Sequence, residues 1–87
     1  MLQKLKTDLG ITASAYDERL GQYLDAAQKR IAEEGVTLDT NDIGDMQIIV
    51  MYAAWMWRRR DTMEGMPRML RYALNNRVFA EKMKEEG

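Results

Sequence analysis

The most apolar stretch of the sequence is Met46-Gln47-Ile48-Ile49-Val50-Met51-Tyr52-Ala53-Ala54-Trp55-Met56-Trp57. Gln47 is its one polar side chain, and three consecutive arginines follow it. Wound as an α-helix, the stretch presents apolar side chains in every direction, whereas an ordinary surface helix is apolar on one face only. Such a helix has to be covered by the rest of its chain, by a membrane or by other subunits.

The length of this stretch argues against a membrane span. A helix needs about 18 or more apolar residues to cross a bilayer, and this run has twelve residues before the arginines, eleven of them apolar. The 87 residues are enough for one small domain, and a domain of that size buries only about 60–65% of its unfolded surface. Without cysteine or histidine, neither disulfides nor a thiolate metal site can stabilise the domain. We therefore expect other subunits to cover part of the apolar helix.

The charge balance also excludes some classes of protein. Thirteen basic and fourteen acidic residues give a net charge of −1, whereas general nucleic-acid and anionic-membrane binders usually carry a basic excess. The N-terminus, Met1-Leu2-Gln3-Lys4-Leu5-Lys6, lacks the long apolar segment of a signal peptide, so we expect an intracellular protein.

Apolar spacing predicts two helices before the central one. Leu2, Leu5 and Leu9 indicate a short amphipathic helix that ends at Gly10. A second helix, which ends at Gly35, starts from Ser14-Ala15-Tyr16-Asp17, a sequence similar to a capping box. Its predicted buried face consists of Tyr16, Leu20, Tyr23, Leu24, Ala27 and Ile31.

The third helix is predicted to start after the cap residues Asp39-Thr40-Asn41-Asp42, and the fourth to start at Pro67. We assign to the subunit's own core the third-helix residues Ile43, Met46, Val50, Ala53 and Trp57, and the fourth-helix residues Met69, Leu70, Ala73 and Leu74. Asn75-Asn76 disfavours a helix interior, so two possibilities stay open for the residues that follow: a continued helix, or a segment that a partner orders. The predicted fold is all-α, a compact bundle of about four helices around a central apolar third helix.

The residues that carry catalysis or bind metals are largely missing. Asp39, Asn41, Asp42 and Asp45 lack the glycine and the closing glutamate that a calcium loop requires, so we interpret them as the capped start of a helix. No base is present to activate Ser14 as a nucleophile. We expect no enzymatic activity, no metal and no cofactor.

Two surfaces are candidates for binding a partner. Arg58, Arg59 and Arg60 could contact phosphates while a neighbouring tryptophan stacks on a base, or they could complement the negative end of the helix and cover apolar surface. A small helical nucleic-acid-binding regulator that uses these arginines is therefore an alternative function, and a general helical interaction module is another. Methionine and aromatic side chains are enriched at protein interfaces, and on this basis the predicted subunit interface consists of Met51, Trp55, Met63 and Met66.

The order of these elements matches a known pattern over nearly the whole chain. A short helix ends in Leu9-Gly10-Ile11, an amphipathic helix and an acidic loop follow, and Tyr52-Ala53-Ala54-Trp55 leads to Arg58-Arg59-Arg60-Asp61. After a short loop, Met66-Pro67-Arg68-Met69-Leu70 leads to Leu74 and Arg77. In these features the chain resembles the small head–tail connector proteins, also called head-completion or adaptor proteins, of long-tailed bacteriophages.

This resemblance implies a non-enzymatic virion assembly protein that is assembled in the host cytoplasm. Its copies are expected to form a ring beneath the portal protein, through which DNA passes without sequence-specific binding. The implied partners are other copies of the chain, the phage portal protein and tail-side completion proteins, with no membrane. By position, residues 1–76 form the helical body and residues 77–87 form the docking segment. The implied portal-docking residues are Arg77, Val78, Phe79 and Met83.

Overall fold

A computed structural model describes residues 1–60 and 65–86 of the chain. It contains four α-helices: α1 (Leu2–Leu9), α2 (Asp17–Glu33), α3 (Ile43–Arg59) and α4 (Arg68–Glu86). A short 3-10 helix, Ser14–Tyr16, precedes α2, and the described residues include no β-strand. The prediction of an all-α bundle is confirmed.

The third helix lies at the centre of the bundle, because α1, α2 and α4 all pack against it. Its buried apolar side chains are Ile48, Ile49, Val50, Tyr52, Ala53, Ala54, Trp55 and Trp57. The other elements contribute Leu5, Leu20, Leu24, Ala27, Ile31, Val36, Leu70 and Leu74 to the same core. The chain thus covers most of α3 by itself. Among the described residues, no helix is both long enough and apolar enough to span a bilayer.

Local backbone chemistry sets the ends of the helices. Gly10 and Gly35 end α1 and α2 with positive φ angles of 71° and 87°, a conformation that glycine adopts without the steric cost of a Cβ atom. Asp42 caps α3, since its carboxylate accepts a hydrogen bond from the backbone N–H of Asp45 at 2.9 Å. These helix ends confirm the sequence predictions.

The predicted capping box before α2 is wrong. No side-chain cap hydrogen bond forms at Ala13 or Tyr16. The chain instead enters α2 through the 3-10 helix, and the backbone N–H of Asp17 donates to the carbonyl of Ser14. Because backbone carbonyls already accept from amides of this turn, α2 can start without a side-chain cap.

Several residues that we assigned to the core lie on the surface. Ile43 is 66% exposed and Met69 is 76% exposed. Ile43 is the first residue of α3, and Met69 lies on a different side of α4 from Leu70 and Leu74, which pack against α3. Tyr16 is also exposed, although the edge of its ring contacts Trp57. The remaining assigned residues are buried or half-buried.

The fourth helix continues without a break through Asn75-Asn76 to Glu86. Of the two possibilities that the sequence left open for these residues, the structure therefore shows the continued helix. At 19 residues, α4 is about 28 Å long, and the molecule measures 47 Å along its longest axis. The proposed boundary between residues 76 and 77 falls inside this continuous helix, and the division into body and docking segment stays a prediction.

Candidate partner-docking site

The fourth helix presents large apolar side chains to solvent. Met69, Tyr72, Phe79 and Met83 are 76%, 58%, 65% and 58% exposed, and the exposed Asn76 lies among them along the helix. We call these five residues the outer face of α4. Leu70 and Leu74, which are almost fully buried, form the opposite face that packs against the core. The exposed row identifies α4 as the candidate docking site, because contiguous exposed apolar side chains mark interaction surfaces.

Arg77 does not point freely into solvent but joins α4 to the start of α3. Its Nη2 atom lies 2.5 Å from the Oδ1 atom of Asp45. Asp45 is buried, and its other carboxylate oxygen accepts a hydrogen bond from the backbone N–H of Asp39 at 2.9 Å. The predicted docking residue Arg77 thus compensates a buried negative charge within its own chain.

The acidic loop before α3 directs its carboxylates at backbone amides. Besides the bonds made by Asp42 and Asp45, the carboxylate of Asp39 accepts from the backbone N–H of Asn41 at 2.8 Å. In the part of the chain that the structure describes, no cluster of three or more His, Cys, Asp or Glu residues could hold a metal ion. The interpretation of this loop as a capped helix start is confirmed.

A second ion pair anchors the first half of α4 to Glu34, the residue that follows α2. Nη1 of Arg71 lies 3.1 Å from Oε1 of Glu34. These charges lie near the buried Tyr52, whose pKa is raised, mainly because burial disfavours the phenolate and secondarily because of the Glu34 carboxylate. Leu70, Arg71, Leu74 and Arg77 together fix α4 against the bundle, which determines where its outer face points.

The predicted subunit-interface residues are not equally accessible. Met51 is half-buried and lines a groove of about 640 Å³ between α1 and α3, together with Gln3, Lys4, Thr7, Asp8, Gln47 and Val50. Met66 is half-buried against the core, and Met63 lies outside the described residues. The interface assignment of Met51 and Met66 stays a prediction.

Trp55 offers little surface to another subunit. Its side chain is 9% exposed. The ring of Tyr52 packs against it edge-to-face, and the guanidinium of Arg59 lies 4.8 Å from its centroid. The expectation that Trp55 lies on the side of α3 left open for a neighbour is therefore corrected. Its own chain covers it.

The three consecutive arginines contact their own chain. Arg58 donates a hydrogen bond to the carbonyl oxygen of Asp8 at 3.3 Å, and the guanidinium of Arg60 lies 3.8 Å from the ring centroid of Trp57. Together with Arg59 on Trp55, these contacts show arginines that cover apolar surface at a helix end. Both tryptophans are buried, so neither can stack on a base. The nucleic-acid-binding alternative then depends on phosphate contacts of the arginines alone.

Two features of the site were missed in the sequence. The first is Asp45, which is separated from Arg77 by 32 residues, so no local pattern connects them. The second is the part of the outer face contributed by Met69 and Tyr72. A signal for it exists in the spacing of residues 69, 72, 76, 79 and 83, which forms a row distinct from that of Leu70 and Leu74.

Comparison with known protein families gives a match over most of the chain. A family model described as phage gp6-like head-tail connector protein matches residues 1–83. No curated protein and no solved structure matches the chain. The family match covers nearly the entire sequence, and the chain therefore belongs to the phage gp6-like head-tail connector family, whose role in the virion is structural.

Proposed function

We propose that this chain is the subunit of an oligomeric ring that lies beneath the phage portal, conducts DNA between head and tail, and receives the tail-side completion proteins. The ring would be assembled in the host cytoplasm and become part of the virion. Family membership supports the structural role. The exposed Phe79 and Met83 on α4 carry the finer assignment, because a small domain does not ordinarily leave such side chains in a row without a partner.

The portal-docking function is assigned to residues 77–87. Within them, Arg77 positions the helix through Asp45, and Val78 is half-buried against the core. Phe79 and Met83 are the side chains that a partner can reach. Because α4 is already helical, its backbone loses little conformational entropy when it docks.

Contacts between subunits are assigned to the groove between α1 and α3 and to Met66. The flexible Met51 side chain lines this groove, with the polar side chains Gln3, Gln47 and Thr7 around it. Such a combination of an adaptable apolar centre and a polar rim is typical of interfaces. A copy that inserts a different part of its surface into this groove makes a heterologous contact, which can repeat until a ring closes.

The charge balance suits a ring through which DNA moves. The net charge is −1, so the subunit as a whole does not attract the phosphate backbone strongly. Weak attraction is the property that allows DNA to pass without being retained. Sequence-specific contacts to bases are not part of this function.

Co-assembly with the portal protein from the same phage genome tests the proposal. Wild-type chain and tagged portal are co-expressed, and the purified complex is examined for a ring by electron microscopy. We expect Phe79→Glu and Met83→Glu to abolish capture by the portal, since each places a charge in an apolar contact. Gln22→Glu introduces the same charge on the exposed surface of α2 and serves as the matched control. Retention of Phe79→Glu at the level of the control would contradict the portal assignment.

The ring interface needs a separate measurement. Met51→Glu is expected to leave the isolated chain folded but to prevent ring closure around the portal, because the groove would then hold a desolvated charge. Light scattering of the purified complexes reports the number of copies. A full ring formed by Met51→Glu would move the subunit interface away from this groove.

A further inference from the structure

The outer face of α4 has a regular spacing. Its residues, Met69, Tyr72, Asn76, Phe79 and Met83, follow one another at separations of 3, 4, 3 and 4. This is the spacing of the two core positions in a heptad repeat, which lets one helix pack along another. Asn76 occupies the same heptad position as Met69 and Met83, in the middle of the row. Since a different set of residues packs α4 against the core, the helix carries a second, complete packing surface.

The size of this surface is sufficient for a specific contact. The four large side chains are 58–76% exposed, and if each has a total surface of about 150–250 Å², together they offer roughly 400–600 Å². That range matches the largest apolar patches on monomeric proteins. With a similar area from a partner, the contact reaches about 1,000 Å², the lower bound of a specific interface.

Among residues 65–83, whose side chains the structure describes, the exposed charges beside the outer face have one sign. Arg68 and Lys82 are exposed on one flank of the row, and the other flank carries the small residues Ala73 and Ala80. Within residues 1–60 and 65–83, whose side chains the structure describes, Arg68 and Lys82 form no ion pair. Glu81 is half-buried and lines a pocket on the core side with Val36 and Ile49. Over residues 68–83 this flank is therefore positive, although the whole chain carries a net charge of −1.

We propose that the outer face of α4 binds an α-helix of a different protein, in which an apolar heptad row is flanked by aspartate or glutamate. The heptad spacing selects a helix as the partner's secondary structure. The small alanines on one flank allow close approach of that helix, and Arg68 and Lys82 on the other select acidic side chains. The location of the partner in the virion rests on the proposed function. The chemistry of the partner is inferred from α4 alone.

Two other occupants fit the observations less well. In a parallel pair of α4 helices, the flanking Arg68 and Lys82 would face Ala73 or another uncharged residue, so no opposite charges select a second copy. A helix that lies in a membrane surface has a broad apolar face, whereas this row is narrow and has the amide of Asn76 at its centre. Asn76 instead favours a partner helix with a polar residue at the matching position.

Binding of a designed peptide to the full chain tests the inference. The probe is a fluorescent three-heptad peptide with leucine at the core positions, one central asparagine, and glutamate at every flanking position. Its matched control has lysine at the flanking positions. Fluorescence anisotropy at low salt is expected to show about tenfold tighter binding of the glutamate peptide, and high salt should reduce this difference.

Variants of the chain then locate the binding site. Tyr72→Glu and Phe79→Glu are expected to weaken binding of the glutamate peptide by about tenfold or more, and Gln22→Glu should leave it unchanged. Because Tyr72 and Phe79 are exposed, the thermal melting curves of these variants should match that of the wild-type chain, which separates a lost contact from a lost fold.

Three outcomes would overturn the inference: equal affinity for both peptides, dimerisation that competes with the peptide and disappears in Phe79→Glu, or binding to phosphatidylglycerol vesicles in place of the peptide. Failure of the proposed function gives a different pattern. If the glutamate peptide binds α4 while Phe79→Glu still assembles with the portal, the helix-binding surface stands and its assignment to the portal is wrong.

Discussion

The third and fourth helices differ in how their apolar residues are covered. The third is apolar in nearly all directions, and its own chain buries eight of its apolar side chains. The fourth is more polar in composition, yet it exposes four of the six large apolar side chains that lie on the described surface. Total hydrophobicity therefore does not identify the helix that exposes apolar surface. The spacing of apolar residues, measured against the face that is already buried, identifies it.

The largest expected effect compares one aromatic residue from each helix. Trp57→Ala should lower the free energy of unfolding by about 3–5 kcal/mol, because it empties a packed site where Tyr16 and Tyr23 contact the ring. Phe79→Ala should change it by less than about 0.5 kcal/mol, since the side chain is largely in solvent. Urea denaturation followed by circular dichroism measures both. Equal losses would mean that α4 belongs to the core as fully as α3 does.

The ion pair between the two helices gives the next effect. Arg77→Met leaves the buried Asp45 carboxylate without its cation, which should cost about 1–3 kcal/mol, a range reduced because Arg77 is partly exposed. The double variant Arg77→Met/Asp45→Asn should recover part of this loss in the same denaturation experiment. If the double variant is as unstable as the sum of the single variants, the two side chains do not interact.

Truncation separates the two halves of α4. Removal of residues 78–87 should leave the bundle folded and cost about 1 kcal/mol, the contribution of the half-buried Val78, while it abolishes capture by the portal. Urea denaturation and the portal capture assay measure the two effects. A truncated chain that does not fold would place the end of α4 in the core.

The smallest effect concerns pH. Burial raises the pKa of Tyr52 above its ordinary value, so the folded state holds the phenolic proton after the unfolded state has lost it. The stabilisation is fully present below about pH 10 and declines as the pH rises through the pKa of the folded state. Between neutral and alkaline pH, the Tyr52→Phe variant should therefore lose less stability than the wild-type chain. Urea unfolding midpoints at both pH values measure this difference. An unchanged pH dependence would contradict the raised pKa.

The sequence was sufficient to predict the bundle and the central position of α3. The apolar run is too short to span a membrane, Asp42 precedes it, and glycines end the two helices before it. These features together favour a helical bundle with α3 at its centre. The same pattern could not show which part of α3 remains open, because Tyr52 and Arg59 of the same helix contribute to covering Trp55. Side-chain packing of this kind is not visible in apolar spacing.

The candidate site was predictable only in part. Phe79 and Met83 were expected on a docking surface, and both are exposed. Met69 was assigned to the core because α4 carries two adjacent apolar rows, and periodicity alone does not say which row faces α3. The contact between Arg77 and Asp45 joins residues far apart in the chain, and only the folded structure brings them together.

The position of Asp45 connects α4, the proposed docking helix, to the loop before α3. One of its carboxylate oxygens contacts Arg77 of α4, and the other accepts from the backbone of Asp39. A movement of α4 away from the bundle is thereby transmitted to residues 39–45 through the side chain of Asp45. Docking should consequently change the amide hydrogen exchange of Asp39, and a label attached near this loop could report engagement of α4 without touching the surface that binds the partner.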